Sequence, residues 1–357
     1  MNAGPAKTME RDFIRDHGPA SQVARAVARS AIPTPVYDAV PMSPAESTAP
    51  IVRVEGLGHD YHGRRALAGV DFTVRGGEMF ALLGPNGGGK TTLFRILTTM
   101  LRPSRGRAEV LGHDVVREPR AVRAVIGVVF QSPALDRKLT VRENLELQAR
   151  LYDLRGAGRR DAIATMLERV RLSGRADDRV ETLSGGLQRR AEIAKGLLHR
   201  PRVLLLDEPS SGLDPGARSD LWDHLGELRD RHGMTILVTT HLMDEAERCD
   251  RVAILSEGAL VACGEPRVLR AEIGGDVIVI SAAEPATLVE PIERACGVRP
   301  RLVDGSLRIE RERGHELIPR LVDAFPDRID SLTIGRPTLL DVFIHKTGHR
   351  FWEEAAP

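Results

Sequence analysis

The stretch Gly84-Pro85-Asn86-Gly87-Gly88-Gly89-Lys90-Thr91 constrains this chain more than any other. A compact apolar run at 79–83, with strand character, precedes it, and apolar residues with helical spacing follow it over 91–100. The stretch matches G-x-x-x-x-G-K-[ST] in the strand, loop and helix context that the motif requires. Successive backbone N–H groups in such a loop turn inward and form a concave anion site. Glycine permits the dihedral angles and lets a phosphate approach the backbone. The helix that begins near Lys90 aims its free N–H groups at the same anion. The ligand implied is a nucleoside triphosphate, with Lys90 reaching its β- and γ-phosphates and the Thr91 hydroxyl ligating Mg²⁺. A glycine-rich turn without nucleotide is the alternative, and the flanking strand and helix weigh against it.

Two further strand ends carry chemistry. The run 203–206, Val-Leu-Leu-Leu, is followed by Asp207 and Glu208. In an open α/β sheet, ligands bind at the carboxyl ends of the strands. There Asp207 suits a hydrated Mg²⁺, which loses its water reluctantly, and Glu208 suits orientation of an attacking water. An Asp-Glu pair also caps strands against solvent, and the phosphate loop elsewhere in the chain favours the catalytic reading. The run 235–239 leads through Thr240 to His241, whose imidazole can donate to a γ-phosphate oxygen. Both runs are uniformly apolar or β-branched, as strands covered by helices on both faces are. The expected class is therefore α/β.

The remaining segments are less specific. Residues 1–50 hold seven prolines and read as a flexible extension, with a short helix possible over 12–30. Strands are expected to start at Ile51, and the region 140–200 is mainly helical. After Glu272 the pattern becomes β-α-β-β-α-β, with Asp304-Gly305 as a hairpin turn, which is the order of a ferredoxin-like split unit. Lys and Arg number 51 against 50 Asp and Glu, so no global field draws the chain to nucleic acid or anionic membrane. Three cysteines make neither a disulfide framework nor a zinc pattern. No apolar run reaches the roughly 18 residues of a membrane span, and the N-terminal residues contain no signal core. The chain is expected in the cytosol, with any membrane association supplied by a partner.

Leu183-Ser184-Gly185-Gly186-Leu187-Gln188-Arg189-Arg190 resembles the signature sequence of ABC transporter ATP-binding subunits. The family's motif order is present over 51–265. Tyr61 resembles the aromatic that stacks on adenine. Gln131, in Val129-Phe130-Gln131-Ser132-Pro133, resembles the glutamine that touches Mg²⁺ or water and couples to the membrane subunit. Ser211-Gly212-Leu213-Asp214 resembles the loop that crosses the dimer interface, and His241 resembles the switch histidine. The stretch from Phe130 to Leu145, and Pro337-Thr338-Leu339-Leu340-Asp341-Val342-Phe343-Ile344, resemble the daunorubicin-resistance and nodulation-export type of exporter ATPase.

The resemblance implies a P-loop NTPase core of ABC type over 51–270, with an antiparallel β subdomain and an inserted helical subdomain at about 135–200. A small α+β accessory domain, 271–345, and a tail, 346–357, follow. Catalysis would fall to Glu208, His241, Gln131 and Lys90. ATP would contact Tyr61, the loop Gly84, Pro85, Asn86, Gly87, Gly88, Gly89, Lys90, Thr91 and Thr92, and, from a second subunit set head-to-tail, Ser184, Gly185, Gly186 and Asp214. Mg²⁺ would lie near Thr91, Gln131 and Asp207. A polytopic permease would hold the chain at the cytoplasmic face of the membrane and export a small molecule, lipid or glycoconjugate, with no nucleic acid involved. The alternative is a regulatory or nucleic-acid-linked ABC-type ATPase not coupled to transport. Gly88 where alanine is common, Ser210 for threonine and Leu187 for glutamine or methionine are mild departures, and activity is expected.

Overall fold

The computed structural model describes residues 50–349 and Phe351. The N-terminal extension, its expected helix and most of the tail lie outside the described residues. Three sheets organise the rest. The first is antiparallel and runs β2 (Arg64–Arg75), β1 (Pro50–Tyr61), β4 (Arg105–Val110), β5 (His113–Asp114). The second has six strands in the order β10 (Ala259–Gly264), β9 (Arg251–Ser256), β3 (Met79–Leu83), β8 (Thr235–Thr240), β7 (Val203–Asp207), β6 (Ile126–Val129). All its pairings are parallel except β10 with β9.

Register in this sheet places the chemistry. Leu83 pairs with Thr240, Asp207 with Thr239, and Val129 with Leu206. Four strands thus end together, and the segments beginning at Gly84, Phe130, Glu208 and His241 leave from one edge. Strands β3, β7 and β8 are buried at every residue, as strands that are apolar or β-branched up to their ends are when helices cover both faces. Helix α1 (Lys90–Leu97) buries Leu93, Phe94, Ile96 and Leu97 in a core shared with Val54, Leu57 and Phe72 of the antiparallel sheet and with Phe80 and Leu82 of β3. Phe72 stacks on Phe80 with centroids 5.3 Å apart. That core fixes the phosphate loop from behind.

Between β5 and β6 lies α2 (Pro119–Val125). The inserted helices are α3 (Val141–Leu151), α4 (Gly156–Arg169) and α5 (Gly185–Leu197). Thr140 and Glu143 form a capping box that starts α3. After β7 come α6 (Pro215–His232), then β8, and a single turn, α7 (Met243–Ala246). His224 of α6 is buried, and neither ring nitrogen makes a hydrogen bond. Burial, aided by Arg190, pushes its pKa from 6.5 down to about 4. Between those two values the unfolded chain binds a proton that the native chain refuses, so stability falls as pH falls through that window. The loss should total roughly 3 kcal/mol. In His224→Leu the difference in urea midpoint between pH 7 and pH 5 should shrink; an identical pH slope in both proteins would contradict this.

The chain continues through α8 (Pro266–Ala271) into a third sheet, with order β12 (Arg301–Val303), β13 (Ser306–Arg311), β11 (Asp276–Ser281), β14 (Ser331–Gly335). All pairs are antiparallel. Helices α9 (Val289–Cys296) and α10 (Ile318–Ala324) bury Ile292, Cys296 and Leu321 against Ile278, Ile280, Leu307 and Ile309. This is the ferredoxin-like arrangement expected from the element order, with Asp304 and Gly305 both at positive φ in the β12–β13 turn. The first helical segment of this unit opens as a 3₁₀ turn, Pro285–Leu288, that leads into α9, because Pro285 opens the segment and the apolar face starts only at Leu288. Helix α11 (Leu339–Thr347) packs on α8 and β10 and is tied to β13 by the ion pair Asp341–Arg308 and by a 2.8 Å hydrogen bond between His345 Nδ1 and Glu310 Oε2.

Candidate active site

Backbone closes in on the two ends of the loop 84–89, at Gly84 and at Gly89. A Cβ on Gly84 would lie 2.5 Å from the Leu255 carbonyl oxygen, so no other residue fits without movement of β9. Gly89 is the N-cap of α1 at φ 104, in the left-handed region, and brings no side-chain cap. The first turn of α1 carries no acidic residue either. The helix therefore presents free N–H groups, and with them a positive end, to the loop's concavity. Lys90 is buried beneath it, its Nζ donating to the carbonyls of Gly84 (2.7 Å) and Pro85 (2.9 Å). Burial pulls its pKa down, and the carboxylates of Glu208 and Asp207 oppose that pull.

Glu208 is where the strand ends converge. Its Oε1 lies 3.7 Å from Lys90 Nζ. Its Oε2 accepts from Gln131 Nε2 at 3.3 Å and lies 3.3 Å from His241 Nδ1. The four residues expected to act in catalysis are thus brought together. Glu208 has φ 42, a left-handed conformation that a non-glycine residue adopts only when its surroundings enforce it. Asp207 is buried and accepts from Thr239 Oγ1 at 2.5 Å. Burial raises its pKa, against the hydrogen bond from Thr239. The carboxylate is thus costly to keep charged in this dry setting, and a cation would relieve that cost. A loop of N–H donors, a buried ammonium and oxygen donors on Thr91 and Asp207 fit a magnesium nucleotide.

The ABC transporter family matches residues 67–211. The chain is 38% identical over 312 residues to "Daunorubicin resistance ATP-binding protein DrrA2" of Streptomyces coeruleorubidus, an alignment covering 84% of this chain and 95% of that protein. The chain belongs to the family of ABC-transporter ATP-binding subunits. It is also 41% identical over 286 residues to "Nod factor export ATP-binding protein I" of Neorhizobium galegae, covering 79% of this chain and 82% of that one. Among solved structures it resembles cbiO1 from Clostridium perfringens, part of the ABC transporter complex cbiONQ, with TM-score 0.59, 30% identity, and coverage of 70% of this chain and 96% of that one. The core, the helical insertion and the C-terminal α+β unit are those of an ABC ATPase with an added domain. No helix among the described residues is long and apolar enough to cross a membrane.

Other residues expected to bind nucleotide in an ABC ATPase stand apart from the Glu208 cluster. Ser184 caps α5, accepting from Leu187 N at 3.4 Å, and Asp214 caps α6, accepting from Ala217 N at 2.9 Å. The signature glycines face that second helix: a Cβ on Gly186 would meet Ala217 Cβ at 3.0 Å, and one on Gly185 would meet Leu213 at 3.4 Å. Among the described residues, no hydrogen bond or ion pair joins Ser184 to the phosphate loop. Tyr61, at the end of β1, is 37% exposed and sits edge-on to His59. Asn86, Gly87 and Thr91 are exposed, while Gly88 is buried. Sequence reasoning missed Thr239, Arg189 and Glu245. Glu245 accepts from Ser210 Oγ and, at 2.5 Å, from Thr240 Oγ1, joining the segment before Asp214 to the segment before His241. The cluster of hydroxyls and acids in Thr239-Thr240-His241 and Asp244-Glu245 was the available signal.

Proposed function

We propose that this chain hydrolyses ATP at the Glu208 cluster and that two chains, set head-to-tail, close over each nucleotide. The family assignment makes it the ATP-binding subunit of an export-type transporter, coupled to a separate membrane permease. One observation carries the catalytic reading: a single carboxylate, Glu208, held within 3.7 Å of Lys90, Gln131 and His241.

In this reading the loop N–H groups and Lys90 offset charge on the phosphoryl group as it transfers. Glu208 Oε2 orients the attacking water in line and accepts its proton. Gln131 holds that oxygen by its hydrogen bond, and His241, whose Nδ1 lies 3.3 Å from it, turns toward the γ-phosphate when ATP is present. Thr91, Asp207 and Gln131 are the residues that would hold Mg²⁺, which when bound neutralises phosphate charge. Ser184, Gly185 and Gly186 supply a second anion-binding helix end, which one chain does not need for one nucleotide. Its use is on the partner's nucleotide, so that ATP joins the two subunits and hydrolysis releases them. Tyr61 and Asp214 complete the adenine and interface contacts. Residues 271–345 form the accessory domain.

Reconstitution tests the transport role. With its permease in lipid vesicles, the chain should hydrolyse MgATP several-fold faster than alone and co-purify with that permease. A rate indifferent to the permease, with no stable complex, would contradict export coupling and revive a transport-independent ATPase.

A further inference from the structure

We infer that Arg189 is a positioning residue for Glu208, joining the signature helix and the Gln131 segment to the catalytic carboxylate within one chain. Arg189 lies on α5, one turn after Ser184, and its side chain is 8% exposed. Its planar guanidinium makes four hydrogen bonds. Nε donates to the Pro209 carbonyl at 2.8 Å, and Nη2 to the Asp207 carbonyl at 3.2 Å. Nη1 donates to the Phe130 carbonyl at 2.7 Å and to Glu192 Oε2 at 2.5 Å.

Those carbonyls are the ones next to the working residues. Asp207 and Pro209 flank Glu208, and Phe130 immediately precedes Gln131. Glu208 N donates to Thr239 O and Thr239 Oγ1, at 3.1 and 3.0 Å, and Ser211 N donates to Glu208 O at 3.1 Å. Together with Arg189 these contacts hold the backbone on both sides of a residue whose φ of 42 is otherwise disfavoured. Glu192, the acid that pairs with Arg189, accepts from Ala134 N at 2.9 Å through its other oxygen. The pair therefore grips the 130–134 segment at two places and the 207–209 segment at two more. Displacement of Gln131 or of α5 would pass directly to the peptide plane that aims Glu208. A lysine has three donors on one nitrogen and no planar fork, so it does not reproduce the four bonds that Arg189 makes from three separate nitrogens.

This inference rests on Glu208 as the water-activating residue. The test uses the full-length chain and the variants Arg189→Gln and Arg189→Lys. Steady-state MgATP hydrolysis should show kcat lowered at least tenfold in Arg189→Gln and less in Arg189→Lys. KM, and the affinity for a fluorescent ATP analogue, should stay within twofold of wild type. In a Glu208→Gln background, single-turnover rates should not fall further when Arg189→Gln is added, because the carboxylate it aims is already gone. An unchanged kcat, a loss confined to KM, a further fall in the Glu208→Gln background, or failure of both variants to fold would overturn the inference. Absence of MgATP turnover in the wild-type chain would instead overturn the catalytic reading of Glu208 beneath it.

Discussion

Glu208→Gln should reduce steady-state MgATP hydrolysis by roughly 10²–10⁴-fold, the usual worth of a positioned general base. That is about 3–5 kcal/mol of barrier. Glutamine keeps the size of the side chain and an oxygen for Gln131 and His241. It loses the proton acceptor and the negative charge that lies 3.7 Å from Lys90 Nζ. Removing that charge from beside the γ-phosphate position should leave ATP affinity intact or raise it. Hydrolysis would then no longer release the closed state, and an ATP-bound dimer should accumulate. Phosphate release and size-exclusion chromatography with MgATP measure the two effects. Near-normal turnover in the variant would remove Glu208 from the catalytic role.

Lys90→Met should act on binding. Charge-assisted hydrogen bonds contribute about 1.5–3 kcal/mol each, so apparent ATP affinity should fall by roughly 10–150-fold, and turnover with it. The fold carries two opposed effects. Lys90 is 4% exposed and burial draws its pKa down, a cost that methionine removes while filling similar space. Methionine also leaves the Gly84 and Pro85 carbonyls and Glu208 without their donor, so the nucleotide-free variant should melt somewhat lower than wild type and affinity is read on protein shown by its melting curve to be folded. A titration that finds unchanged ATP affinity would refute the phosphate assignment of Lys90.

Much of the core was legible because its elements carry strong local patterns. The runs 79–83, 203–206 and 235–239 are too apolar for anything but covered strands, and each ends in a distinctive residue type. Strand β4, Arg-Gly-Arg-Ala-Glu-Val, was not legible: it buries only Ala108 and Val110. Its pairing with β1 is a long-range contact that no local period announces. Strand β5 has two residues and exists only through β4. The 124–130 run reads as one apolar strand, yet its first part, through Val125, closes α2, whose start is set by Pro119 at a helix N-terminus.

The site divides in the same way. Lys90, Asp207, Glu208 and His241 announce themselves because each follows a strand or a glycine loop. Thr239 and Arg189 act through side chains turned into the interior, and sequence alone does not distinguish them from the exposed threonines and arginines nearby. The role proposed for Ser184 could not be read from one chain's geometry, since its proposed target belongs to a second copy.

Mixing two inactive variants tests that shared site most directly. One carries Lys90→Met and keeps an intact signature; the other carries Ser184→Arg and keeps an intact phosphate loop. If each nucleotide is held by Lys90 of one chain and Ser184 of the other, a mixed dimer contains one complete site. Equal mixing should then restore roughly a quarter of wild-type hydrolysis, since half the symmetric dimers are mixed and each has one of two sites intact. Mixtures as inactive as the separate variants would show that both residues must come from the same chain, and the head-to-tail account would be wrong.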